Sequence, residues 1–244
     1  MSVNKKKSSY HHGDLRQTLL DAAESLLEEG GIDALSLRDA ARRAGVSHSA
    51  PARHFPAKMD LLFALVERGI RALDDEMRRA GAIDADPVAQ LEEAGFAYVR
   101  LAVRHPWRTQ LMFGGVVPMQ AEIPPGLQEV ASSSFQGLVR IITAGQAAGR
   151  FIEQDPMQLT LAMWSVVHGT AMLILGGQYG YHDRSDSKQF DDRLREIMRI
   201  SFRVSALGML RDEHRGTIGA QITPSSFVPP VGGQHGCPED EANS

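Results

Sequence analysis

The chain reads as an all-α protein with a small three-helix N-terminal head and a larger helical domain behind it. Three observations predict this. Apolar residues recur at three- and four-residue spacing along most of the 244 positions. Residues 35–62, LSLRDAARRAGVSHSAPARHFPAKMDLL, form two short helical patterns around a glycine and run straight into a third. Prolines stand at the start of successive periodic segments, where a missing N–H costs nothing.

Taken in order, residues 1–9 are a polar arm with Lys5, Lys6 and Lys7 and no apolar run after them, so they do not read as a secretory signal. The arm either folds against phosphates or serves as a solubilising tail. Residues 14–29 make the first helix, a scaffold element with Leu15, Leu19, Ala22, Ala23 and Leu26 on its apolar stripe and Gly30-Gly31 at its end. Ser36 caps the second helix, whose apolar face is Leu37, Ala40, Ala41 and Ala44. Gly45 breaks it, because a residue without a Cβ turns left-handed cheaply, and Val46 plugs the corner. Ser47 restarts the chain as an N-cap. Pro51 stands in the fourth helical position after it, deletes the first intrahelical bond and predicts a short, partly 3₁₀ recognition helix. This layout is a helix-turn-helix, in which the second helix enters a DNA major groove.

A fourth helix over 57–79 carries Leu62, Val66, Leu73 and Met77, and 81–87 is a linker ending in the helix start Asp86-Pro87. Further helices are expected at 87–103, 106–113, 125–148, 156–175 and 188–211, with mobile loops at 114–125 and 176–186. Residues 213–244, rich in Gly, Pro, Ser and acids, are expected to be a disordered tail. The domains are then 1–9 (arm), 10–60 (head), 61–212 (helical domain) and 213–244 (tail). The stretch 156–175 lacks charge and is long enough to span a bilayer. Gln158, Thr160, Ser165, His168 and Thr170 are spread around it without an aromatic belt, so it is expected to be buried on nearly all sides in a bundle. Leu194, Met198, Ser201, Ser205 and Gly208 fall on one stripe of the last helix. That stripe serves either a four-helix dimer interface with 156–175 or packing inside one subunit.

Composition narrows the function. A net charge of -4 excludes indiscriminate coating of nucleic acid, so any DNA contact comes from a local patch. Such a patch exists: Arg42, Arg43, His48, Ser49, Arg53, His54 and Lys58 crowd the second and third helical segments, with Asp60 as the only acid from Arg42 to Leu62. These groups suit phosphates and base edges, with a solvated basic face as the plainer alternative. One cysteine, Cys237, excludes an intramolecular disulfide and fits a reducing cytoplasm. His11 and His12 are adjacent and not one helical turn apart, so no metal site is expected, and no cofactor. The chain lacks a G-x-S-x-G elbow, a phosphate-cradling glycine loop and H-E-x-x-H, so no enzyme is expected.

The run YHHGDLRQTLLDAAESLLEEGGIDALSLRDAARRAGVSHSAPARHFPAKMDLL resembles the TetR-family transcriptional regulators. Within the family it is similar to a branch with an N-terminal YHHGDLR and a Trp-His-Gly signature, here Trp164, His168 and Gly169. The resemblance implies a homodimeric repressor that binds a palindromic double-stranded DNA operator and is released by a small apolar effector. It also implies roles by position. Ser47 caps the recognition helix or meets a phosphate, and His48 and Ser49 read base edges. Arg53 reaches guanine or phosphate, His54 lies near the backbone, Lys58 holds a phosphate with the helix N-terminus, and Ser36 and Arg42 clamp the opposite strand. Ala52 departs from the family, which usually has a backbone-contacting tyrosine there. Phe55 is core. The large adaptable side chains of the helical domain, Phe96, Trp107, Met112, Phe113, Met163, Trp164, His168 and Met172, are the effector-site candidates. Trp164 and His168 share a helix face, and both a ligand-orienting and a purely structural reading stay open.

Overall fold

Amphipathic stripes of the expected period become ten α-helices in a computed structural model that describes residues 15–118, 121–179 and 188–219. The arm, the first residues of the YHHGDLR signature, His11, His12, Cys237, the tail beyond 219 and most of the loop at 176–186 lie outside the described residues. Among those described there is no β-strand, only one isolated antiparallel bridge, Phe151 to Leu210. The chain divides into two compact units: the residues up to Ala72 with His105–Ser134, and Leu73–Arg104 with the residues from Phe135 on.

The first unit begins with α1 (Leu15–Gly30) and α2 (Leu37–Arg43). It continues with the first part of α3 (Lys58–Gly81), then α5 (Pro106–Phe113) and α6 (Pro125–Ser134). Its core joins Leu19, Leu20, Leu27, Leu35, Phe55, Leu61 and Leu65 to Trp107, Leu111 and Leu127. This differs from the division at residue 60 expected from sequence. The three-helix head is too small to cover its own apolar faces, and α5, α6 and the loop residues Val116, Val117 and Ala121 close them. That loop is therefore partly packed and not simply mobile.

The second unit packs α4 (Pro87–Arg104), α7 (Gln136–Ala147), α8 (Pro156–Leu175) and α9 (Lys188–Leu207) on one another, with α10 (Asp212–Gly219) against α9. The single helix expected over 125–148 is two, broken at Phe135. Ser132, Ser133 and Ser134 each turn their hydroxyl onto a carbonyl one turn back, at 2.8 to 3.0 Å, which weakens the backbone ladder just before the break. The last long helix stops at Leu207 and not at residue 211. Ile152 N–H then bonds the Met209 carbonyl at 2.8 Å, and Leu210 pairs with Phe151. Residues 213–219, expected in the tail, belong to α10, steadied by Arg215 with Asp212 at 2.9 Å and by Arg215 Nε on the Leu210 carbonyl at 3.3 Å.

By length and composition α8 is long and apolar enough to cross a membrane. It is not buried nearly all round: Thr160, Met163, Val167, Thr170, Ala171 and Ile174 face the core, while Leu161 and Leu173 stand 44% and 47% exposed. On α9, Leu194 and Met198 of the expected dimer stripe are buried in their own unit, and the exposed apolar residue is Val204 at 54%.

Candidate DNA-reading surface and effector cavity

The corner of the head is built by backbone bonds that the sequence dictates. Ser36 accepts the Asp39 N–H at 3.0 Å and donates to the Asp39 carboxylate at 2.6 Å, closing the start of α2. At its end Val46 N–H reaches the Ala41 carbonyl at 3.0 Å and Gly45 N–H the Arg42 carbonyl at 3.2 Å, with Gly45 at φ 69°. This pair of bonds is a Schellman motif, and it requires the left-handed residue at Gly45.

The segment after the corner differs from a helix. Residues 47–50 form a turn and Pro51–Arg53 a single 3₁₀ turn, so the recognition element has no α-helix. Pro51 is the reason, since it has no N–H to give to the Ser47 carbonyl and its ring crowds that carbonyl, which takes the Ala50 N–H at 3.0 Å instead. His54 and Phe55 N–H both bond the Pro51 carbonyl at 2.8 Å, and Phe55 is buried as expected. His48, Ser49, Ala52, Arg53, His54 and Lys58 are exposed. Ser47 and Ser49 share a hydroxyl hydrogen bond of 3.2 Å, so Ser47 does not cap the turn; the residue before it is Ala50, which has no capping side chain. Ser36 gives its proton to Asp39, and Arg42, 77% exposed, also bonds Asp39 at 2.8 Å. The Ser36 hydrogen bond, with Arg42 beside it, holds the Asp39 carboxyl below its usual range. At the start of α3, Asp60 accepts the Ala57 N–H at 2.7 Å, so a carboxylate already fills part of the helix N-terminus beside Lys58.

In the second unit a cavity opens among Met77, Leu91, Gly95, Tyr98, Leu138, Ile142, Thr160, Met163, Trp164, Val167 and Phe202. It admits the centres of water-sized spheres over about 30 Å³. That is room for a water or two, so a larger guest must part the methionines. At one wall the Tyr98 hydroxyl lies 2.6 Å from His168 Nδ1. Trp164 stacks on His168 with centroids 4.8 Å apart and planes at 19°, and Phe135 meets the indole edge-on at 5.9 Å. Burial pushes the Tyr98 hydroxyl well above its usual range, against a smaller opposing effect from a Trp164 hydrogen bond, and burial lowers the His168 pKa.

Residues 19–65 match the family described as "Bacterial regulatory proteins, tetR family", and residues 91–197 match "Tetracyclin repressor-like, C-terminal domain". The chain belongs to the TetR family. It is a family of DNA-binding transcriptional regulators and not of enzymes. The TetR-family chain is similar to the HTH-type transcriptional repressor KstR of Mycolicibacterium smegmatis, 30% identical over 131 residues that make up 54% of this chain and 64% of that protein. The repressor of the same name from Mycobacterium tuberculosis is also 30% identical, over 60% of its length. The matched segment thus spans less than two thirds of either. Among solved structures, a protein of unknown function from Rhodococcus sp. RHA1 has 33% identity and a TM-score of 0.72, covering 84% of this chain and 100% of that one. The TetR family regulator PfmR from Thermus thermophilus, at 20% identity and a TM-score of 0.56 over 76% and 97%, shares the fold.

Of the eight effector-site candidates, Met163 and Trp164 line the cavity and His168 stands behind its wall. Phe96 instead carries the Arg195 guanidinium over its ring at 3.7 Å beside a surface groove, and Met172 is half-buried outside the lining. Trp107, Met112 and Phe113 belong to the first unit. Trp107 is buried in the head core, Met112 packs on that core, and Phe113 is 39% exposed. Sequence reading missed Tyr98, because nothing near it in the chain distinguishes a bonded hydroxyl from a core tyrosine. It also missed the small and aliphatic lining residues Gly95, Leu138 and Val167, which look like any helix core.

Proposed function

We propose that this TetR-family chain is a cytoplasmic, homodimeric repressor of the YHHGDLR and Trp-His-Gly branch. It grips a palindromic double-stranded operator through Ser47, His48, Ser49, Arg53, His54 and Lys58 and is released by a small apolar effector held in the second unit. The observation that carries the reading is the Schellman corner followed by an exposed, cationic turn. A corner this well fixed presents His48 to Lys58 in one arrangement, as base-edge and phosphate contacts require. Arg42 joins them from α2, while Ser36 acts mainly as the cap of that helix. The outward apolar residues Leu161 and Leu173 of α8 and Val204 of α9 support the dimer, since a face of this kind is stable when a second copy covers it. The similarity to the KstR repressors supports repression.

The test is binding of the purified protein to a duplex from upstream of its own gene at two salt concentrations, with unrelated DNA as competitor. Tight binding that survives the competitor is expected, and binding that the competitor removes would defeat site-specific recognition. In the same assay Lys58→Ala should weaken all sites alike and lower the salt slope by about one unit, as loss of one phosphate contact does. An unchanged slope removes Lys58 from the interface.

A further inference from the structure

Three residues with polar side-chain groups stand among those that line the cavity of the second unit. Apart from Tyr98, Thr160 and the Trp164 indole, the lining is glycine and apolar side chains, without a charged residue. Thr160 gives its proton to the Pro156 carbonyl of its own helix at 2.8 Å. The indole N–H of Trp164 is a donor only. The Tyr98 phenol lies 2.6 Å from His168 Nδ1 and is the donor when the neutral ring carries its proton on Nε2. Stacking on Trp164 holds that ring in place. Tyr98 is 1% exposed and lines the cavity, where water competes poorly. An ion entering this space would lose its hydration and find no counter-charge.

Resting on the effector reading above, we propose that the cavity takes an uncharged, mainly apolar molecule with one hydrogen-bond acceptor, such as a ketone, ester or amide carbonyl, and that this acceptor takes the Tyr98 proton from His168. His168 occupies the acceptor's place while the cavity is empty. Tyr98 is the ligand-contacting residue, and His168 is a positioning residue that competes with the ligand for one proton.

The test uses the full-length protein and two matched probe sets: hexane, 2-hexanone, hexanoate and hexylammonium, and their ten-carbon counterparts. Affinity is read from the concentration dependence of thermal stabilisation. Alkanes and ketones are expected to bind, and the carboxylates and ammonium ions are not. Tyr98→Phe should weaken the ketones about five- to tenfold, the loss of one neutral hydrogen bond, and leave the alkanes within about twofold. Retained alkane binding also shows that the variant is folded. His168→Phe, which keeps a ring on Trp164 and frees the Tyr98 proton, should strengthen the ketones severalfold and leave the alkanes unchanged. Tighter binding of hexanoate or decanoate than of the ketones would overturn the proposal. So would ketone and alkane affinities that move together in either variant, or a protein that none of the probes stabilises. A ketone that binds with the expected signature and leaves the operator complex intact would uphold the cavity chemistry and overturn the effector reading instead.

Discussion

The glycine corner of the first unit and the polar wall of the second each depend on a few hydrogen bonds, but these join residues at very different distances along the chain. Ser36 and Asp39 are three positions apart, and Ala41 and Val46 are five. Tyr98 and His168 are separated by 70. The first arrangement forms wherever the local sequence forms it and is backed by a closely packed core. The second exists only when α4 and α8 have docked, and it borders space. Rigidity in the first unit and adjustability in the second are what a reader of DNA and a binder of small molecules respectively need.

The largest effect that tests this contrast is cavity creation in the head. Leu61 is fully buried in the cluster that joins α1, α3 and α5, and Leu61→Ala should cost about 2–5 kcal/mol in denaturant unfolding. Met163→Ala, beside the existing cavity of the second unit, should fall toward the lower end of that range, because the site is already imperfectly filled. Equal losses would mean that the two units are packed alike.

The second unit is tight away from its cavity. A Cβ on Gly145 would stand 2.3 Å from the Phe151 ring, which reaches α7 because residues 149–151 turn back beneath it. Gly145→Ala should therefore cost about 1–3 kcal/mol through overpacking. A neutral outcome in the same unfolding measurement would show that the Phe151 segment yields as easily as the cavity wall.

How far the sequence could be read follows the same division. Ser36, Gly45 and Pro51 act on neighbours within a turn, so the cap, the left-handed corner and the 3₁₀ character of the recognition element are legible from residue chemistry. Helices α5 and α8 are legible from proline and periodicity, with bounds Pro106–Phe113 and Pro156–Leu175 as expected. The break at Phe135 was hidden, because three serines in a row are tolerated inside a helix until their hydroxyls turn onto the backbone. The membership of Trp107 in the head core was hidden too, since a large side chain reports how much surface it buries and not which core it joins. Of the polar wall, the one-turn spacing of Trp164 and His168 was visible. Their third partner, Tyr98, is fixed only by tertiary docking.

A smaller effect separates local from long-range support in the head. Ser36→Ala removes the acceptor for the Asp39 N–H and should cost about 1 kcal/mol, whereas Ser36→Asn, which keeps an acceptor, should cost a few tenths. Equal losses for the two would place the stability of α2 in its packing on α1 and not in its cap.

The smallest expected effect is one of pH, and it belongs to the second unit. Burial lowers the His168 pKa from its ordinary 6.5, so the folded state resists a proton that the unfolded chain accepts. As pH falls below about 6.5 the unfolded state binds more protons than the folded one, and stability declines until the folded-state pKa is also passed. Above that range the contribution is fully present. Protonation would also take from Nδ1 the lone pair that receives the Tyr98 proton, so the wall should open on the acid side of the same window. Unfolding midpoints measured from pH 7.5 down to 5 should show this decline in the wild type and a flatter course in His168→Phe. Parallel curves for the two proteins would mean that His168 keeps its ordinary pKa when folded, and that the phenol proton is not held by its Nδ1.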